Sequence, residues 1–309
     1  MKEIGGYFEL ELRNGEAYYP DVIALNSARN CLRYLVRVHN IQKLLIPAYT
    51  CPVVWEALED EGCEYEFYEI NASLLPNRDM NPKDYILYNN YFGVCDAQVA
   101  YMAEKYPNLI VDNSQAFYSQ VKGQNCFCSP RKFFGVPDGG YVYSSRFSEE
   151  SYTQDTSTPR MSHLLKRIEL GATAGYNSFK RNDTSLDHAD IKRMSKLTQK
   201  LLNNIDYKQI SDCRRDNFRY LHEHLSSKNE LSIELHENMV PMIYPYLPKH
   251  DGAKLKQKLI ENKIFVATYW PGQKDSGFGM RLQNDLLALP IDQRYEIDEM
   301  SYILEVLDE

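Results

Sequence analysis

Asp112 and Lys132 are the two residues of this sequence that could form a reactive pair. Asp112 ends the apolar run Leu109–Val111, and Lys132 lies 20 positions later, shortly before Gly139–Gly140. An acid at the carboxyl end of a buried strand can pair with a protonated ring nitrogen, and a lysine amine can form a Schiff base with an aldehyde. Pyridoxal phosphate (PLP) requires both groups. We therefore predict that Asp112 and Lys132 are catalytic residues of a PLP site.

Each of the two residues also has an ordinary structural explanation. An Asp at a strand end often caps the following helix, and most lysines lie at the surface with the amine in water. The apolar neighbours Phe133, Phe134 and Val136 favour a partly dry pocket around Lys132, in which a neutral amine is available as nucleophile and base. The presence of both residues favours the PLP interpretation more than either one alone.

The elements that must position this pair alternate between strand and helix. Hydrophobic spacing predicts helices over residues 27–39, 53–61 and 96–106, and strands at 44–46, 64–70, 85–88 and 109–111. Such alternation is typical of a parallel sheet with helices on its faces. Ligands bind outside the carboxyl ends of these strands, where Pro47, Asn89, Asn90 and Asp112 are expected to meet.

The second half of the chain predicts a smaller unit joined by helices. Residues 146–185 are polar and are expected to be irregular. The remaining predicted elements are connecting helices at 187–204 and 206–225, strands at 239–247 and 263–268, a helix at 253–262, and a terminal helix after 298. The predicted domains are residues 1–185, with an N-terminal segment at 1–20, and residues 186–309.

Composition limits the classes of function. The chain has 309 residues and a net charge of −8, which argues against nonspecific nucleic-acid binding. No apolar run approaches the roughly 20 residues of a membrane helix, and no secretory signal pattern is present, so the expected location is the cytoplasm. The 7 cysteines are scattered and lack the spacing of a zinc site. We expect no metal.

A phosphate site is predicted at the start of the first helix. Ser27, Ala28 and Arg29 stand where free backbone N–H groups and the positive helix end could bind an anion. An ordinary serine cap is the alternative explanation for Ser27.

These segments together resemble the DegT/StrS-type aminotransferases, PLP enzymes of fold type I that aminate keto-sugars carried on nucleotides. The resemblance covers most of the chain, and its segments follow the family's order. They are Ser27–Arg29 for the phosphate-binding helix start, 46–50 for a Pro-x-x-Thr segment, Asn90–Gly93 for His-x-Tyr-Gly, 112–116 for Asp-x-x-Gln-Ala, Lys132 before Gly139–Gly140 for the Schiff-base lysine, and Gly175–Asn177 for Gly-Tyr-Asn.

The resemblance implies a fold and a set of roles. The fold is α/β, with a mostly parallel seven-stranded-type central sheet and a small C-terminal α+β domain. Gln115 is expected to contact the ring oxygen of PLP, with Ser129 and Arg29 also at the cofactor. Because Cys51 stands where an aromatic residue commonly stacks on the ring, Tyr49 is expected to stack instead. Asn177 is expected to reach the phosphate of a neighbouring subunit, which implies a homodimer with shared sites.

The function implied is transfer of an amino group from an amino-acid donor, usually glutamate in this family, to a keto-sugar or related keto acceptor through a Lys132 aldimine. Residues expected near the substrate are Asn90, Tyr91, Tyr176, Tyr269 and Trp270. Two alternatives remain open. One is another PLP reaction, such as a dehydratase or lyase, although the dehydratase branch replaces the lysine by histidine. The other is a protein with this fold that binds a partner without catalysis.

Overall fold

The computed structural model describes residues 4–13, 15–119 and 125–308. A central sheet has the strand order β1-β7-β6-β5-β4-β2-β3. Its strands are β1 (Ile23–Leu25), β2 (Lys43–Pro47), β3 (Glu64–Tyr68), β4 (Tyr85–Asn89), β5 (Leu109–Asp112), β6 (Asn125–Cys128) and β7 (Gly140–Tyr143). Strands β2 to β6 pair in parallel, whereas β7 runs antiparallel to both β1 and β6. The predicted mostly parallel, seven-stranded α/β sheet is confirmed.

Ten α-helices lie among the described residues. They are α1 (Ala28–His39), α2 (Val53–Asp60), α3 (Asp96–Lys105), α4 (Ser162–Leu170), α5 (Ala172–Thr184), α6 (Lys196–Asn203), α7 (Tyr207–Leu225), α8 (Gly252–Glu261), α9 (Phe278–Asp285) and α10 (Ile297–Asp308). A second, two-stranded antiparallel sheet is formed by β8 (Ile243–Tyr246) and β9 (Leu287–Pro290). Helices α7 and α8 contact this sheet, and α10 packs on both of them.

Two hydrophobic clusters sandwich the large sheet. Successive side chains of a strand point to opposite faces, so Leu44 and Ile46 of β2 belong to one cluster and Leu45 to the other. The cluster with Leu44 contains the apolar face of α1. The cluster with Leu45 continues into the second sheet through Tyr244 and Leu289. Burial of both faces explains why β2, β4 and β5 are continuous apolar runs in the sequence.

The first predicted helices and strands are confirmed with small shifts of their ends. Ser27 caps α1, and its Oγ accepts a hydrogen bond from the N–H of Asn30 at 3.1 Å. The cap fixes where α1 begins, next to the carboxyl ends of the parallel strands. The strand predicted at 64–70 ends at Tyr68, and the strand predicted at 85–88 extends to Asn89.

Several expectations for the second half of the chain are wrong. Residues 146–185 contain α4 and α5 instead of an irregular segment, and the helix predicted over 187–204 begins only at Lys196. The residues before it are extended because they bond to the β1 end of the sheet. The carbonyl of Lys192 accepts from the Asn26 N–H at 2.9 Å, and the Met194 N–H donates to Ala24 at 3.0 Å. The strand predicted at 263–268 is reduced to one bridge between Ala267 and Ala288.

Candidate active site

A cleft of about 1000 Å³, its open mouth included, lies at the carboxyl ends of the parallel strands. Nine of the predicted site residues line it: Ser27, Ala28, Arg29, Asn90, Asp112, Gln115, Ser129, Lys132 and Trp270. They come from separate parts of the chain and meet because the parallel strands all end at one edge of the sheet. Trp270 reaches the cleft from the segment between α8 and α9.

Asp112 is the last residue of β5, beside Asn89 of β4 in the parallel register. Its Oδ1 accepts a hydrogen bond from the Ser114 N–H at 2.7 Å, which fixes the carboxyl group. Burial raises the pKa of Asp112, and the hydrogen bonds from Ser114 and the positive charge of Lys132 only partly offset that effect. The carboxylate would therefore gain from a cation placed in the cleft.

Lys132 ends the short 3₁₀ turn Pro130–Lys132, which follows directly on Ser129. Phe133 and Phe134 after it are buried, but Lys132 itself is exposed. Its predicted partly dry environment is therefore wrong, because the turn directs the side chain away from the aromatic core that holds its neighbours. No described residue forms a hydrogen bond or ion pair with its Nζ. The amine is consequently available to react with a ligand.

The side-chain amide of Gln115 has an N–H donor for which the described residues offer no acceptor. Its Oε1 accepts a hydrogen bond from the Phe92 N–H at 2.9 Å, which sets the orientation of the amide. The Nε2 atom is buried and has no partner among the described residues. Leaving such a donor unsatisfied costs about 1–3 kcal/mol. A hydrogen-bond acceptor bound in the cleft could remove that cost.

The start of α1 meets β7 at very short range. A Cβ atom on Gly140 would lie 2.6 Å from the backbone carbonyl of Ser27, so only glycine fits there. This close approach brings the first N–H groups of α1 to the cleft. The cation beside them is already paired, since the Arg29 guanidinium donates to the Leu186 carbonyl and to Asp187 Oδ1, each at 2.8 Å.

Five predicted site residues do not line the cleft. Tyr49 and Tyr91 are fully buried behind it and stack on each other at 5.8 Å. Tyr269 packs on Phe92. Tyr176 and Asn177 are exposed on α5.

Sequence reasoning did not single out three residues of the cleft wall: Arg131, Asp183 and Asp187. Asn89, which was expected at the ligand-binding edge, and Thr50, which ends the Pro-x-x-Thr segment, also line the cleft. Asn89 donates to Thr50 Oγ1 at 2.9 Å, and its own Oδ1 is buried without a partner in the described part of the chain. Arg131 pairs with Asp183 at 3.0 Å. The position of Asn89 at a predicted strand end was a usable signal, whereas the two acids lie on a segment whose fold the sequence pattern did not show.

Cys51 also lines the cleft, and burial raises the pKa of its thiol.

Within the described residues, no group of three or more His, Cys, Asp or Glu could hold a metal ion. In the same residues, no helix is both long and apolar enough to cross a membrane.

Solved structures with a similar fold include several sugar aminotransferases. The candidate sugar aminotransferase Spr1654 from Streptococcus pneumoniae, in its PMP form, aligns with a TM-score of 0.67 and 14% identity over 93% of this chain and 86% of its own. CalS13, a sugar aminotransferase from Micromonospora echinospora, aligns with a TM-score of 0.61 and 13% identity over 93% and 87%.

A DegT DnrJ EryC1 StrS aminotransferase from Brucella abortus has a TM-score of 0.61 and 16% identity over 93% and 85%. The chain has the fold of these aminotransferases. No family profile matches the sequence, and no curated protein matches it. The likeness therefore lies in the fold, and the chemistry must be argued from the cleft.

Proposed function

We propose that this chain is a PLP-dependent aminotransferase, which moves an amino group from an amino-acid donor, glutamate being expected, to a keto-sugar or related keto acceptor. The observation that carries the proposal is the cleft itself. It holds a carboxyl group whose pKa is raised by burial, Asp112, together with the Lys132 amine and the Gln115 amide donor, neither of which has a partner among the described residues. Spr1654, which shares the fold, has been solved in both PLP and PMP forms.

The donor set of the cleft fits PLP. Asp112 would pair with the ring nitrogen, and Gln115 Nε2 would donate to the ring oxygen. The N–H groups at the start of α1 would take the phosphate, with Ser129 nearby. Lys132 would hold the aldehyde carbon. Bound PLP supplies an electron sink for a carbanion next to the amino nitrogen.

The chain's own residues would have separate roles in the amino transfer. With PLP and an amino donor bound, the Lys132 amine would be the base that moves a proton at the donor's α-carbon. Asp112 would keep the ring nitrogen protonated, because an ionised carboxylate favours the charged form of a cation beside it. Trp270 and Asn90 also line the cleft, and we assign them to the substrate.

The proposal includes a homodimer with shared sites in the cytoplasm. Helices α4 and α5 pack closely, since a Cβ on Gly175 would lie 2.9 Å from the His163 carbonyl. Their outer surface exposes large apolar side chains: Leu165, Ile168, Leu170, Tyr176 and Phe179. Such a patch is typical of an interface. Asn177 is exposed on the same helix pair, so a second copy seated there could receive Asn177 at its cofactor phosphate.

The test is the visible absorbance of the purified protein after addition of PLP. We expect wild type to show the absorbance of a lysine-bound cofactor, and glutamate to convert it to the pyridoxamine form. Lys132→Ala should lose the lysine-bound species. Lys43→Ala removes an exposed lysine paired with Glu66 and serves as the control. A wild-type protein that PLP leaves unchanged would instead indicate a binding protein without catalysis.

A further inference from the structure

A buried arginine stands behind the cleft on α7. Arg214 is 2% exposed, and its guanidinium lies 4.6 Å above the ring of Phe133. Burial lowers its pKa to about 10. No described carboxylate lies within ion-pair distance of it, although the charge of Asp292 acts on it from further away. Because an unpaired buried cation is costly, its hydrogen bonds must account for its position.

The first of these hydrogen bonds leads to the turn that carries Lys132. Arg214 Nε donates to Gln293 Oε1 at 3.1 Å, and Gln293 Nε2 donates to the carbonyl of Phe133 at 2.7 Å. Arginine can only donate and a carbonyl can only accept, so both ends of the Gln293 amide are fixed. Phe133 is the residue next to Lys132. The backbone that follows the lysine is therefore held from the segment after β9.

The second set leads to Gln115. One terminal nitrogen of Arg214 donates to the carbonyl of Met242 at 3.0 Å. The Met242 N–H donates to the Phe92 carbonyl at 2.8 Å, and the Phe92 N–H donates to Gln115 Oε1 at 2.9 Å. Phe92 has φ 59, a left-handed conformation that costs a non-glycine residue energy and persists only when its surroundings fix it. These two bonds hold it on both sides.

We propose that Arg214 is a positioning residue, which fixes both the Lys132 turn and the Gln115 amide from the C-terminal part of the chain. This inference rests on the proposed function for its catalytic meaning. Through one side chain it reaches the turn after β6, which carries Lys132, and the loop after β5, which carries Gln115. Substitution of Arg214 or Gln293 should therefore loosen the cofactor-binding residues without touching the cleft wall.

The chain offers a matched control on the same helix. Asn217 is also 2% exposed, and its Nδ2 donates to the carbonyls of Ile291 at 3.2 Å and Tyr295 at 2.9 Å. It ties α7 to the same segment after β9. Its hydrogen bonds do not reach Phe133 or Met242. Asn217→Ala should therefore lower thermal stability without affecting the Lys132 turn.

The experiment compares Gln293→Ala, Arg214→Met and Asn217→Ala by two readouts. Hydrogen–deuterium exchange of the cofactor-free proteins should rise in the peptide around 130–136 for the first two variants, and around 90–95 for Arg214→Met. Their PLP dissociation constants should rise about tenfold, the equivalent of one typical hydrogen bond. Arg214→Lys keeps a cation over Phe133 but not the fork of donors, and should be intermediate.

The outcomes separate this inference from the proposed function. If Gln293→Ala and Arg214→Met lose stability as Asn217→Ala does, with exchange at the lysine turn unchanged, the positioning role is wrong. Should Arg214→Met not fold, Gln293→Ala carries the test, because Gln293 is only partly buried. A wild-type protein that does not bind PLP would contradict the proposed function, while the exchange measurement would still decide the role of Arg214.

Discussion

The two ends of the cleft differ in how ready they are to bind. At the end that we propose for the PLP ring (the ring end), Lys132 and the Gln115 amide donor have no partner among the described residues, and burial raises the pKa of Asp112. At the start of α1, which we propose for the phosphate (the phosphate end), the Arg29 guanidinium is occupied by Asp187 and the Leu186 carbonyl. We therefore expect the affinity for PLP to arise mainly from the ring end. The helix start would supply backbone N–H groups, and Arg29 would add little while Asp187 holds it.

The largest effect is expected for Asp112→Asn. The amide keeps an acceptor for the Ser114 N–H but cannot hold a positive ring nitrogen, so transamination should fall about 100-fold or more, as for loss of one preorganised electrostatic group. Steady-state kinetics with glutamate would measure the fall. An unchanged kcat would show that the ring end does not act through this carboxylate.

In the cofactor-free protein, the same variant should raise the thermal stability. Because burial raises the pKa of Asp112 in the folded state, its ionised form opposes folding. The protonated Asp112 carboxyl contributes fully to stability only below its pKa in the unfolded state. This contribution is lost as pH rises through the raised pKa of the folded state. Asp112→Asn should therefore melt above wild type at neutral pH, with the advantage shrinking in acid. Thermal melts across pH would measure this, and a lower neutral melting temperature would contradict it.

A smaller effect is expected for Gln115→Leu. Removing the unpartnered donor should weaken PLP binding about tenfold, the equivalent of one hydrogen bond. Asn182→Ala is the matched control, since Asn182 is a buried amide with an unpartnered oxygen but does not line the cleft. Titration of PLP into both variants compares them. Equal affinities would indicate that Gln115 does not contact the ligand.

The smallest effect is expected at the phosphate end. Asp187→Ala should remove one partner of Arg29 and leave the Leu186 carbonyl and, at 3.7 Å, Glu56. The partly freed guanidinium should then strengthen phosphate binding a few-fold, the range of one exposed ion pair. The gain should be larger for PLP than for pyridoxal and should fade at high salt. Binding of both compounds at two salt concentrations would measure it. A gain equal for the two compounds would show that Arg29 does not reach the phosphate.

The sequence was a better guide to the surroundings of Asp112 than to those of Arg29. Asp112 follows an apolar run whose burial in a parallel sheet is nearly dictated by composition, and Lys132 precedes a glycine pair. The segment that carries Asp187 could not be placed, because its path depends on hydrogen bonds to Asn26, far away in sequence. The role of Arg214 was equally unpredictable from the sequence, because its hydrogen-bond partners lie 27 to 79 residues away along the chain.

The most direct test of the proposed chemistry is to reduce the PLP-treated protein with borohydride and map the modified lysine by mass spectrometry. The account predicts the cofactor's added mass on the peptide that contains Lys132 and on no other lysine. Attachment at a different lysine, or no attachment, would contradict it.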